Sequence, residues 1–494
     1  MGRFSKYLVA SMLVSGSFVA WHATYSQTAS KSLGAAANVR MAALRGATPF
    51  QNSDGSVPPP GMTTFTLSHD WPTAPLPPIT NAPWRTAIGN GLITTKNAPA
   101  YAEALKAAVA TNARALIAQG SGFDAAAAGW YNEPWVGSLR DPLQGTYCAG
   151  AFGPSFFPNT GLRASFDTRV LTYYDKRAAA SLYSVWGKTA MRPNVQTANF
   201  QFAEGAIVVK AALFQSIDPN QPTGWWDAMT GAQQWNMFIP IDCNADVPAA
   251  PTVVPGYIAQ FDIVVKDSQS APKTGWVFMT LVYDSTRPGD IWDKMVPLGA
   301  QWGNDPQATS STATLTENWI NPAAPLYATQ TLGFGGRLSG PNDGATNAIA
   351  VNGKVLPNAP DSGCMSCHST SQWNAANHAF PTFLLPSFPP PKGQSNPPFL
   401  ACGNDGKPVK GGAPNICSPA PGSALWMKWF QNRLGTQAMD AGATATDFDE
   451  VFAFKSLPLW WSAVGPKNQP MPMLTRIQFT GRRTNQYSGA PARE

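Results

Sequence analysis

From about residue 195 the hydrophobic positions fall into short runs: NFQFAEGAIVVKAALFQ, WNMFIPID, YIAQFDIVVKD and GWVFMTLVYD. Each is rich in β-branched and aromatic residues, and Gly, Pro and Asp clusters part them. That pattern predicts four or more strands of a largely antiparallel sheet. Upstream, the period lengthens. APAYAEALKAAVATNARALIAQ (98–119) puts Tyr101, Leu105, Val109 and Leu116 on one helical face. Asn97 is placed to cap it, Pro99 suits its first turn and Gly120 closes it. DKRAAASLYSVWG predicts a second helix, and SALWMKWFQNRLG (423–435) a short one ending at Gly435. The run from Gly333 to Gly336 precedes Pro341 rather than a helical pattern, so it reads as a turn and not as a phosphate-binding loop.

The fold class expected is mixed and β-rich: a largely antiparallel β domain with a few helices, then a small helical, loop-rich segment. Residues 1–30 read as a signal peptide, 31–64 as a leader ending in a Pro-rich turn, 65–350 as the β-rich domain with N-terminal helices, and 351–494 as a final segment with a Pro-rich loop. Gly (43) and Pro (46) are abundant, which favours strands and long connections over helical bundles. Only 13% of residues are charged, about half the usual fraction, and the net charge is +6. Without a basic run, nucleic acid is excluded as a partner.

The chemistry concentrates at SGCMSCHST, residues 362–370. The chain has 6 Cys and 4 His, yet Cys364, Cys367 and His368 lie within five positions. Two thiols on successive turns of a nascent helix add across the two vinyl groups of one haem, and the following His is held beneath its iron. The motif therefore specifies attachment and axial ligation of one haem c per chain. A structural zinc site needs four ligands, and His378 alone lies near, at no common zinc spacing. A thioredoxin-like redox pair needs a βαβ context that the pattern does not show. A simple disulfide leaves the adjacent His unexplained.

Haem attachment of this kind takes place outside the cytoplasm. Arg3 and Lys6 precede a 14-residue apolar stretch, Leu8 to Trp21, which fits an export signal and is too short to span a bilayer. An uncleaved interfacial anchor is the alternative. No later segment is long and apolar enough for a membrane span, so a periplasmic or secreted protein is expected. The remaining four cysteines suit an oxidising compartment. Cys402 and Cys417 bracket a Gly- and Pro-rich loop that a disulfide would staple, and Cys148 with Cys243 follows by elimination; three pairings are formally open.

With its Pro-flanked methionines downstream of C-x-x-C-H, in GPKNQPMPML, the chain resembles the c-type cytochromes. The resemblance implies that Met471 or Met473 is the sixth iron ligand and that the protein passes single electrons to a redox partner. Met471 lies 103 positions after His368, a wider spacing than small cytochromes use. Met427 and Met439 read as core residues. The strands FAEGAIVVKAALF and GWVFMTLVYD resemble those of the cytochrome P460 and beta-type cytochrome c-prime group. That resemblance implies an antiparallel fold, an open distal side, and a small-molecule substrate such as nitric oxide, hydroxylamine or peroxide. His69 is then a candidate acid–base group, and His378 a surface or propionate contact. Trp373, Trp426, Trp429, Trp460 and Trp461 are candidate haem-packing aromatics, and Arg337 and Arg476 candidate propionate partners.

Overall fold

The computed structural model describes residues 47–464, apart from 75, 78, 153–165, 217–226, 241–248, 311–312, 330–331, 340–345, 352–353, 361–362, 375–399, 402–416 and 419–423. Helix α1 spans Ala98–Gln119 and buries Tyr101, Leu105, Val109 and Leu116 as their spacing requires. Asn97 occupies the cap position but its side chain does not cap. Its Oδ1 accepts from Thr94 N (2.7 Å) and its Nδ2 donates to Leu92 O (3.0 Å), so it shapes the preceding turn instead.

Eight strands form the sheet: β1 (Tyr147–Phe152), β2 (Phe166–Tyr174), β3 (Ile207–Ser216), β4 (Gln234–Ile239), β5 (Thr252–Lys266), β6 (Trp276–Tyr283), β7 (Met295–Gln301) and β8 (Asn318–Ile320). Every pairing is antiparallel, in the order β1-β2-β3-β5-β6-β7-β8. β5 is long enough to take two partners on one side. Its first half pairs β4 and its second half pairs β6, while β3 runs along the opposite edge, so Tyr257 is paired to β3 and β4 at once. The β-rich expectation is therefore met, although NFQF at the head of the first predicted run is a short 3-10 turn, Thr197–Phe200, and not strand. The predicted helix over 423–435 shrinks to one turn, Ala424–Met427, followed by turns held by Phe430 N donating to Met427 O.

Strands β2, β6 and β7 are buried at every position, so the sheet is covered on both faces. Alternation along each strand and register across strands assign the faces. Leu171, Val209, Ala211, Phe261, Ile263, Val277, Met279 and Leu281 share one face. It is apolar, and α1 packs across it against β5 and β7. The other face mixes chemistry: Thr172, Tyr174, Lys210, Gln260, Asp262, Lys266, Thr280 and Gln301 are interleaved with Val264, Trp276 and Phe278. The Cys-x-x-Cys-His segment docks on that mixed face.

Helix α2 (Lys176–Trp186) follows β2 directly, and Asp175 caps it by accepting from Ala178 N (2.8 Å); the same oxygen accepts from Ile207 N (3.1 Å). Burial pushes the Asp175 carboxyl up to about 6, against these bonds. A folded-state value raised above the ordinary 3.8 means that the native chain binds this proton more tightly than the unfolded chain. Its contribution to stability is therefore fully present below about pH 4 and is lost as pH rises through 6. We expect Asp175→Asn to remove about 2 kcal/mol of the stability difference between pH 4 and pH 7. Denaturant melts of both proteins at the two pH values check this; parallel pH profiles would refute it.

Candidate functional site

Residues Cys364–His368 form a single helical turn, α3. Its start is tied to the sheet: Cys364 N donates to Leu338 O (2.8 Å), and Met365 N donates to Gln301 Oε1 (3.0 Å) at the end of β7. Ser366 closes the turn locally, its Oγ accepting from Gly363 N (2.9 Å) and donating to Gly363 O (2.8 Å). Met365 is completely buried. Cys364 and Cys367 are buried thiols, three positions apart and hence on one side of the turn. His368 is half-buried, with 23% of its side chain exposed.

The imidazole is held on three sides. Its ring lies against Phe278 of β6, centroids 4.7 Å apart. Its Nδ1 is 2.9 Å from the carbonyl oxygen of Phe448. A carbonyl only accepts, so Nδ1 is the donor, and in the neutral ring the lone pair belongs to Nε2. Nε2 faces the Glu450 carboxylate, whose Oε2 is 3.6 Å away, beyond hydrogen-bond range. Metal-bound histidines generally donate their second ring N–H in this manner, which fixes the tautomer and the ring's direction.

Phe448 reaches His368 through a strained turn. Asp447 and Phe448 both have left-handed backbones, with φ of 46° and 68°, at about 1–3 kcal/mol each for residues that are not glycine. Three bonds to the buried Asp447 carboxylate offset that strain. Oδ1 accepts from Lys266 Nζ (2.6 Å) and Trp276 Nε1 (2.8 Å), and Oδ2 from Phe202 N (2.7 Å). Ser371, just past the motif, binds the same turn, through Thr446 Oγ1 (2.7 Å) and Asp449 O (2.5 Å). Gln372–Trp373 then pairs with Thr444–Ala445.

Behind the histidine lies a buried acidic pair. Asp449 accepts from Tyr174 OH (2.9 Å) and from Val451 N and Phe452 N, opening the helical stretch that continues as α4 (Leu457–Val464). Glu133 accepts from Trp186 Nε1 (3.0 Å). Burial raises both carboxyls, Glu133 well above the carboxylate range and Asp449 to about 6, and the Asp449 charge raises Glu133 further. Arg140 is buried beside them and lowered to about 10 by desolvation, with NH2 donating to Glu133 O (3.1 Å). Several buried polar atoms have no hydrogen-bond partner among the described residues. Thr168 Oγ1, Gln260 Oε1 and Gln301 Nε2 lie on the mixed face of the sheet, and Glu450 Oε1 beside His368.

The residues singled out from sequence separate into groups. Cys364, Cys367 and His368 come together on α3 as their spacing requires. Met471, Met473, His378, Arg476, Cys243 and Cys402 lie outside the described residues. Cys148 is disulfide-bonded. Leu400–Ala401 runs parallel to Cys417–Ser418, which sets the ends of the predicted stapled loop side by side. His69 is not at the site: it stacks on Phe50 at 4.3 Å and sits 3.8 Å from Asp70. Arg337 does not present itself to a propionate either. Its buried guanidinium donates to the carbonyls of Asn304 (2.9 Å), Asp305 (2.9 Å) and Ala308 (3.2 Å) and lies over Phe430. Trp373, Trp429, Met427 and Met439 are buried, and Trp460 donates to Met191 O (3.0 Å). Asp447, Phe448, Glu450 and Gln301 are the residues that sequence reasoning passed over. Three acids within TDFDEVF, in a chain that is 13% charged, were the available signal.

The described residues fit a covalently bound haem by their chemistry. Two thiols share one side of a turn, the imidazole presents Nε2, and the buried Gln301 Nε2 is a spare donor beside the motif. Comparison with protein-family models, curated proteins and solved structures gives no match for this chain. Among the described residues no helix is long and apolar enough to cross a membrane. The strained turn itself is open to a packing test. A Cβ on Gly435 would overlap the Asp447 carboxylate and crowd its backbone, and three hydrogen bonds keep that carboxylate from yielding. Gly435→Ala is expected to lower stability by about 2–3 kcal/mol, measured by denaturant unfolding. A neutral result would show the turn to be loosely held.

Proposed function

We propose that the chain is an exported monohaem c-type cytochrome that passes single electrons to a partner protein. The observation that supports this reading best is the state of His368 within Cys364–His368: Nδ1 is committed to the Phe448 carbonyl, so Nε2 is the nitrogen left to bind iron. When bound, the haem supplies an iron that cycles between two oxidation states. The protein's part is to hold it. Cys364 and Cys367 would anchor the macrocycle, His368 would bind its iron through Nε2, and Phe278 limits the imidazole's rotation. In this reading the Pro-flanked Met471 or Met473 would be a further iron ligand.

A second reading, a haem c enzyme or gas-binding protein with an open distal side, draws support from a different observation. Thr168 Oγ1, Gln260 Oε1 and Gln301 Nε2 on the mixed face, and Glu450 Oε1 beside His368, are buried without a hydrogen-bond partner among the described residues. Such atoms suit a small polar substrate or water better than a sealed electron carrier.

Absorption spectra of protein exported with haem-attachment machinery test both. Haem that survives denaturation in the wild type and is lost in the Cys364→Ala/Cys367→Ala variant is expected in either case. A low-spin ferrous spectrum unmoved by carbon monoxide, but altered when Met471 and Met473 are replaced, supports electron transfer. A clear shift with carbon monoxide supports the open site. Absence of covalent haem in the wild type would end both readings.

A further inference from the structure

We propose that Asp447 is a positioning residue for His368: bound to Lys266, Trp276 and Phe202, it holds the left-handed turn that aims the Phe448 carbonyl at Nδ1, and so tunes the nitrogen that would carry iron. The iron part of this inference rests on the haem reading above. The geometric part rests on the chain alone. Asp447 is almost fully buried, and its carboxylate is the point where three separate parts of the fold meet: the end of β5, the start of β6 and the segment entering β3. Lys266 Nζ lies over the Trp276 ring at 5.1 Å as well as on Asp447, so the cation and the indole are themselves mutually placed.

Two successive non-glycine residues at positive φ are held only where their surroundings over-determine them, and such strain gathers at functional positions. Here its product is specific. Reversing the sign of φ at Phe448 would swing its carbonyl away from Nδ1, and the imidazole would then be left with the Phe278 ring and the Glu450 carboxylate, neither of which forms a hydrogen bond to it. A firm Nδ1–H···O=C bond raises the basicity of Nε2, which favours the higher oxidation state of a bound metal. Loosening that bond therefore raises the reduction potential.

The test compares wild type, Asp447→Asn and Lys266→Met as exported, haem-loaded proteins. Asp447→Asn keeps the shape but removes the charge that Lys266 faces. Lys266→Met keeps the length of the side chain and removes one of the three donors that hold the carboxylate. Reduction potentials from spectroelectrochemical titration are read beside thermal melts. Both variants are expected to favour the reduced form by about tenfold, which is about 59 mV for one electron. Unchanged potentials and spectra, even with a lower melting temperature, would reduce Asp447 to a structural role and overturn the proposal. If Asp447→Asn does not fold, Lys266→Met decides alone on the same criterion. If the wild type carries no covalent haem, the haem reading fails separately, and 15N spectra of selectively labelled histidine decide the geometric part. An Nδ1–H tautomer at His368 that is lost in the variants supports positioning, and one that persists refutes it.

Discussion

The bond from His368 Nδ1 to the Phe448 carbonyl joins two stretches of chain 80 residues apart, and much of the structure is arranged to make it possible. On one side, the motif helix is tied to Leu338 and to Gln301 at the end of the sheet. On the other, the Asp447–Phe448 turn is anchored on Lys266 and Trp276 of the same sheet. The β-sheet is thus the common frame for both partners. The frame is stiff beneath the site because β2, β6 and β7 are buried at every position and each is paired on both edges.

The two faces of the sheet divide the work. The apolar face packs on α1 and contributes most of the burial that stabilises the domain. The mixed face carries charged and amide side chains under cover, an arrangement that is costly unless each is paired or answered by a ligand or water. Lys210 with Asp262, Lys266 with Asp447, and Tyr174 with Asp449 are answered within the chain. Burial raises the proton affinity of Glu133 and of Asp449, and the Asp449 charge raises that of Glu133 further. A buried pair of that kind, one residue beyond the carbonyl that holds His368, makes the site's electrostatics a property of the whole domain.

Sequence alone was legible where local physics decides. The 98–119 helix follows from its periodicity, and the strands from β-branched runs between Gly, Pro and Asp clusters. Local signals failed where a side chain had a better partner than the one its element offered. Asn97 turned to Thr94 and Leu92 instead of capping, and the segment 423–435 gave up its helix after one turn. Arg337 has the charge of a propionate partner but is claimed by three carbonyls. None of these preferences has a periodicity or a spacing to betray it.

The same division holds at the site. Cys364, Cys367 and His368 are specified by sequence because their chemistry depends on spacing within one helical turn, which five residues contain entirely. The tautomer of His368, the identity of its carbonyl partner and the nearness of Glu450 were decided only by tertiary structure. They depend on a turn 80 residues downstream whose shape is set by Lys266 and Trp276, and no local pattern in TDFDEVF encodes where those side chains will be.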